Sequence, residues 1–295
     1  MFDFKVPVHR EFWPGKPRFI GQIESGFKTT FDESIVEQLA EFISCCMGEL
    51  ADLGLRHAVV GLSGGLDSTC NLYLCKRALG SENVTAVIVD LGLKSHVGQA
   101  LKSRQIAEGL GIPYHLVDAS GLFRETTKML DMRGPFSEIN MITRCIQTVI
   151  FQVADSIPGA VVSNVDRSET ELCRHMECFY GHLAPLAHLY KSEVMDLARF
   201  IGVPEEVITQ EPGCLEAWLD RDVLGAGYDL IDFVLYMLID RGLDVNSISA
   251  EYGIDENWLK RLEKRIKFQK RRMTTRLLCK KVGGDEGATE SGSFF

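Results

Sequence analysis

His57-Ala58-Val59-Val60-Gly61-Leu62-Ser63-Gly64-Gly65-Leu66-Asp67-Ser68-Thr69 decides the fold of this chain. An apolar run passes into a glycine pair and then into an amphipathic stretch, which reads as a buried strand, a tight loop and a helix. Gly64 and Gly65 reach backbone angles closed to other residues and let a ligand approach the main chain. The helix start adds unpaired N–H groups and partial positive charge, so the segment is a cradle for an anion such as phosphate. Ser63, Ser68 and Thr69 contribute hydroxyls, whereas Asp67 repels a bare phosphate. That combination predicts a divalent cation, Mg²⁺, between the two charges. Two other phosphate loops are excluded: no lysine stands where G-x-x-x-x-G-K-[ST] requires one, and G-x-G-x-x-G is missing.

Outward from the loop, the order is regular. A helix is expected near Asp32 to Leu53, and the helix after the loop runs to about Leu79. Val84 to Asp90 is the next apolar run. A helix across Gly98 to Leu110 leads to a strand at Tyr114 to Val117; a further helix spans roughly Ile139 to Asp155, before a short buried strand at Ala160 to Val162. Strands alternating with helices predict an α/β fold with a doubly wound, mostly parallel sheet and a C-terminal helical elaboration. Ligands in such sheets bind beyond the carboxyl ends of the strands, where Gly61, the glycine loop, Asp90 and Ser163-Asn164 all fall. Residues 1–30 read as an irregular arm, 31–282 as the main domain and 283–295 as a disordered tail rich in Gly, Ser and Glu.

Composition narrows the class. At 295 residues and 45% apolar content the chain can bury a large core. No apolar stretch approaches a membrane span and Met1 to Lys5 lacks the regions of a secretory signal, so a cytoplasmic protein is expected. The nine cysteines lack disulfide-scaffold spacing and read as reduced thiols. Cys173, His175 and Cys178 form C-x-H-x-x-C without a second ligand pair, a pattern that favours packing or substrate lining over zinc. The net charge of −9 is uneven, because Lys260 to Lys281 carries +10 and leaves −19 elsewhere. A solvated helix face or a phosphorylated ligand accounts for that block better than nucleic acid, since it holds one aromatic, Phe268.

The loop resembles the S-G-G-x-D-S loop of the N-type ATP pyrophosphatases, which include NAD synthetases, GMP synthetases and argininosuccinate synthetases. Those enzymes cleave ATP between its α and β phosphates and move AMP onto a substrate oxygen. Ser163-Asn164-Val165-Asp166-Arg167-Ser168-Glu169, Leu183-Ala184-Pro185-Leu186 and Tyr190-Lys191-Ser192-Glu193-Val194 narrow the resemblance to NAD synthetases, as do Glu211-Pro212-Gly213-Cys214-Leu215 and Asp220 to Asp232. The resemblance covers about residues 34 to 276. It implies that Asp67 and Glu169 bind Mg²⁺ and that Lys191 faces the nucleotide phosphates, these three being the catalytic candidates. By the same resemblance ATP meets Gly61, Ser63, Gly64, Gly65, Asp67, Ser68, Thr69, Asp90, Arg144, Asn164 and Lys191. Asn140, Arg144, Lys270, Arg271 and Arg272 would hold the second substrate. The implied substrates are nicotinic acid adenine dinucleotide and ammonia, the latter from solution or a separate supplying protein, and the implied working unit is a homodimer.

This chain departs from the pattern on the acceptor side. The N-x-x-x-R-x-R helix keeps Asn140 and Arg144 but has Ile146 for the second arginine. Cys173 to His182 replaces G-Y-x-T-x-x-G-D, is about two residues shorter and lacks its aspartate. Asn164 stands for Thr, Asp166 for Asn, and Gly213 where ammonia-dependent members often have Thr. Three readings therefore stay open: an NAD synthetase, the same adenylating machinery delivering nitrogen or sulfur to another acceptor, or a nucleotide-binding module without turnover.

Overall fold

Runs of small and β-branched apolar residues, short enough to be buried on both faces, become the central sheet. The computed structural model of the chain describes residue 17 and residues 26–130, 137–172, 181–214 and 218–274. Strands β1 (His57–Gly61), β2 (Val84–Asp90), β3 (Tyr114–Asp118) and β4 (Gly159–Val162) pair in the order β3-β2-β1-β4, all parallel. Successive residues face opposite layers. Ala58, Val60, Ala86, Ile88, Ala160 and Val162 join one apolar cluster with α1 (Glu33–Ala51), α2 (Leu66–Leu79) and α3 (Lys94–Leu110). Val59, Val87 and Val161 point the other way, against Ile150 and Ala154 of α5 (Ser137–Ser156), next to α4 (Ser120–Met129). Full burial of one such side chain contributes about 1.5–3 kcal/mol.

The doubly wound, parallel sheet expected from the alternation is thus present. Strand boundaries agree within a residue, while α3 begins at Lys94 rather than near Gly98, and α4 was not anticipated. Phe123 is the one residue of α4 that is buried, and the helix is short and otherwise polar or solvent-facing, which leaves little in the sequence to set it apart from a loop.

After β4 the chain builds a helical layer: α6 (Arg167–Leu172), α7 (Lys191–Phe200), α8 (Glu205–Ile208), a hairpin of β5 (Gly213–Cys214) and β6 (Trp218–Leu219), α9 (Asp220–Leu224), α10 (Tyr228–Leu235), α11 (Val245–Tyr252) and α12 (Glu256–Thr274). A π-helical turn, Tyr236–Asp240, extends α10. Phe233, Trp258, Leu259 and Leu262 form the centre of a second core beneath these helices. The stretch before α1 is bound to this layer: Phe27 stacks on Tyr236 at 5.3 Å, Lys28 Nζ lies 3.0 Å from Asp229 Oδ1, and Thr29 donates from N and Oγ1 to Glu193 Oε1. Among the described residues no helix is long and apolar enough to cross a membrane.

Candidate active site

β2 and β3 lie on one side of β1 and β4 lies on the other. The chain therefore leaves β1 and β4 in opposite directions, opening a crevice at their carboxyl ends, where doubly wound sheets place their ligands. Two segments meet there, the glycine loop after β1 and Ser163-Asn164 after β4. Gly64 has φ +76°, which explains the glycine: a β-carbon at this position would come within 3.0 Å of Ser103 Oγ and 3.2 Å of Gln99 Oε1 on α3. The loop is drawn together by its own hydroxyls. Ser63 N donates to Ser68 Oγ at 3.2 Å, and Ser68 Oγ and Thr69 Oγ1 donate to Gly65 O at 3.1 and 2.8 Å. Gly65 caps α2 without a side chain over its first-turn N–H groups, which gives the loop the donors and dipole of an anion site.

Asn164 and Gly61, which the resemblance places against ATP, also hold one another. Asn164 Nδ2 donates to Gly61 O at 2.7 Å, and its Oδ1 accepts from Asn71 Nδ2 at 3.0 Å. Asn71 also donates to Ser163 O at 3.0 Å, so this amide pair ties the ends of β1, β4 and α2 together. Gly61 is small for a packing reason: a β-carbon there would meet Ile150 Cδ1 at 2.4 Å. Asp90, at the end of β2, accepts the Gly92 N–H at 2.8 Å and holds its own turn.

The charged centre lies beside the loop. Lys191, the first residue of α7, is 2% exposed, and its Nζ lies 2.6 Å from Asp67 Oδ2, 2.7 Å from Asp166 Oδ2 and 3.3 Å from Glu169 Oε1. Asp67, Asp166 and Glu169 offer carboxylate oxygens all within 4.8 Å of one another. Hard oxygen donors next to a phosphate cradle, Asp67 and Glu169 partly exposed and Asp166 buried beside them, fit Mg²⁺, which takes one or two carboxylates and fills its remaining positions with water and phosphate oxygens. Burial works against the Lys191 ammonium, yet Asp166, Asp67 and Glu169 outweigh it and hold its pKa well above the ordinary lysine value. Burial pushes the Asp166 carboxyl well above its ordinary range; Lys191 opposes that rise, while Glu169 and Asp67 add to it.

A second buried carboxylate fixes this arrangement from behind. Asp232 on α10 accepts from Ser168 Oγ at 2.6 Å through Oδ1 and from the Ser192 N–H at 2.7 Å through Oδ2. Ser168 Oγ in turn accepts the Lys191 N–H at 2.9 Å. One side chain thus joins the starts of α6 and α7, which carry Glu169 and Lys191. Desolvation raises the Asp232 carboxyl to about 6, against the pull of its hydrogen bonds from Ser168 and Ser192.

Asp67, Glu169 and Lys191, named from the sequence, are therefore brought together. Asn140 and Arg144 sit one turn apart on α5, Asn140 buried and Arg144 exposed. Because α5 runs back into β4, they lie about 15 and 9 Å above Ile150 along the helix, toward the carboxyl ends of the strands. Lys270, Arg271 and Arg272 fall in the last turns of α12, and their side chains lie outside the described part of the structure. Cys173, His175 and Cys178 also lie outside the described residues. Sequence reasoning missed Asp232 and the ionic role of Asp166; the signal for the latter was an aspartate three residues before Glu169, in capping position, where the resemblance has asparagine.

A parallel sheet whose glycine loop and acidic centre share one switch point defines the class, a Rossmann-like ATP pyrophosphatase fold. The family model described as NAD synthase matches residues 35–274, and the chain belongs to that family. It is 31% identical over 240 residues to the NH(3)-dependent NAD(+) synthetase of Pyrococcus furiosus, covering 80% of this chain and 90% of that one. The corresponding protein of Hyperthermus butylicus is 34% identical over 233 residues, covering 75% of this chain and 81% of its own. Among solved structures, the NH3-dependent NAD synthetase from Campylobacter jejuni, in complex with the nitrate ion, aligns with TM-score 0.68 at 20% identity over 85% of this chain and 100% of that one, a likeness of fold.

Proposed function

We propose that the protein is an ATP-dependent, ammonia-using ligase that converts nicotinic acid adenine dinucleotide to NAD, releasing AMP and pyrophosphate. The observation that carries this reading is the convergence of Asp67, Glu169 and Lys191, from three separate segments, beside the glycine loop. In this reading Ser63 to Ser68 hold the β and γ phosphates of ATP, and Asp67 and Glu169 would hold Mg²⁺. The metal, when bound, stabilises charge that develops on the departing pyrophosphate. Lys191 turns its ammonium toward the same charge. A carboxylate oxygen of the dinucleotide attacks the α phosphorus as the α–β bridging P–O bond breaks, giving an acyl-adenylate and pyrophosphate. Ammonia then attacks the acyl carbon, loses a proton and displaces AMP. The chain aligns two anions and keeps water from the adenylate; Asn140, Arg144 and the Lys270–Arg272 segment hold the dinucleotide. A homodimer working in the cytoplasm is the setting that goes with this reading.

One observation favours a second acceptor. Ile146, in place of an arginine, is partly buried and packs, as Val89 and Val149 do, against the apolar clusters around Phe123 and Ile150, so whatever that arginine contacts in the family is handled differently here. The test incubates the purified protein with ATP, Mg²⁺, ammonium and nicotinic acid adenine dinucleotide and assays AMP, pyrophosphate and NAD. Equimolar formation of all three is expected. Pyrophosphate release that requires a different acceptor selects the second reading, and no ATP cleavage with any acceptor removes both.

A further inference from the structure

Asp166 has a place in the charged centre that the proposed reaction does not use. Its carboxyl side chain is fully buried, while Asp67 and Glu169 keep 18% and 15% of theirs exposed. The three acids, whose oxygens lie within 4.8 Å of one another, therefore differ in their access to solvent around Lys191. Asp67 and Glu169 face the crevice, through which a metal with its water and phosphate oxygens can enter. Asp166 has no exposed surface through which water could reach a metal beside it. Its two oxygens also have separate tasks: Oδ1 accepts the Glu169 N–H at 2.7 Å at the start of α6, and Oδ2 meets Lys191 Nζ at 2.7 Å.

Lys191 Nζ touches the same Asp67 and Glu169 carboxylates that a divalent cation needs. Two cations cannot share one pair of carboxylates at contact distance without strong repulsion. At 2% exposure the ammonium has no route into water, so it must keep an anionic partner inside the protein when metal arrives. We infer that Asp166 is a positioning residue whose buried carboxylate retains the Lys191 ammonium, so that Asp67 and Glu169 can accept Mg²⁺ while the lysine stays charged and next to the phosphates. The inference rests on the metal reading above. It also gives a physical use to an aspartate where an asparagine would cap α6 equally well but would leave Lys191 competing with the metal.

The experiment measures Mn²⁺ binding to the full chain by the loss of the free-ion electron paramagnetic resonance signal, with thermal melting recorded alongside. Asp166→Asn keeps the size and the cap acceptor and removes the charge. Its Mn²⁺ dissociation constant is expected to rise about tenfold or more, the scale of losing a supporting group behind a metal ligand. Asp166→Asn/Lys191→Met, which removes the competing ammonium as well, is expected to return to within about threefold of wild type, because both members of a buried pair are then replaced by neutral groups. Lys191→Gln in the same background is a second version of the double variant should the first not fold. A double variant as weak as the single would mean that Asp166 merely places Glu169, and the inference would be overturned; so would unchanged Mn²⁺ binding in Asp166→Asn. A wild-type chain that binds no Mn²⁺ would remove the metal reading itself, and this inference with it.

Discussion

Asp232 offers a quantitative test of how the helical layer supports the centre. In the folded chain its carboxyl sits at about 6, above the ordinary value of 3.8, chiefly through desolvation. An acid whose pKa is raised by folding binds more protons folded than unfolded between those two values. Its stabilising contribution is therefore fully present below 3.8 and is lost as pH rises through about 6. The whole interval corresponds to about 3 kcal/mol. Asp232→Asn removes this titration but turns an NH₂ toward the buried Ser192 N–H, at a cost of about 1–3 kcal/mol. The variant is thus expected to be less stable than wild type at pH 5, and its deficit should shrink by about 1.4 kcal/mol at pH 8. Urea unfolding followed by circular dichroism at the two pH values gives the comparison, with the denaturant slope as a check that the same surface unfolds. A deficit that is equal at both pH values, or larger at pH 8, would refute the reasoning.

Other perturbations probe the loop and the metal reading. Asp67→Asn should fold normally yet lower pyrophosphate release by roughly a hundredfold or more; a near-normal rate would strip Asp67 of its role. Gly64→Ala forces a left-handed backbone angle onto a side chain that meets Ser103 Oγ at 3.0 Å. It is expected to lose about 1–2 kcal/mol of stability and to raise the KM for ATP, and an unchanged melting temperature with unchanged KM would contradict that. Asn164→Ala leaves Gly61 O and Asn71 without their amide partner and should cost about 1–3 kcal/mol in chemical denaturation. Chelation with EDTA should stop pyrophosphate release and added Mg²⁺ should restore it, whereas release that persists in EDTA argues against a metal between Asp67 and Glu169.

The parts of the fold that were legible are those where burial writes itself into local sequence. β1, β2 and β4 are apolar runs bounded by glycine or aspartate, and their helices carry long stripes. β3 was legible although His115, Leu116 and Asp118 are exposed, because it follows the helix stop at Gly111. The helical layer was legible mainly through motif resemblance: much of its second core comes from short segments, and the one long helix, α12, with Trp258, Leu259, Leu262 and Ile266 buried, shows in the sequence chiefly as a basic block. In the site, Asp67 announced itself by its place among glycines, while Glu169 and Lys191 needed the order of motifs. Asp232 lay inside a quoted stretch without a role, because its value comes from contacts with Ser168 and Ser192, 64 and 40 positions away. Long-range pairing of that kind leaves no local trace.

The binding of Phe27, Lys28 and Thr29 to the helical layer has a consequence for synthesis. Thr29 waits 164 residues for Glu193, and Lys28 waits 201 for Asp229. At ordinary elongation rates that is on the order of 10–40 s after these residues leave the ribosome. The parallel sheet, whose strands all precede residue 163, can assemble in that interval. Phe27 packs on Tyr190, Phe233 and Tyr236 and cannot complete that packing until Tyr236 has emerged, so a part of the chain made early is among the last to find its place, and nascent chains halted before about residue 190 should present this aromatic to solvent or to a chaperone.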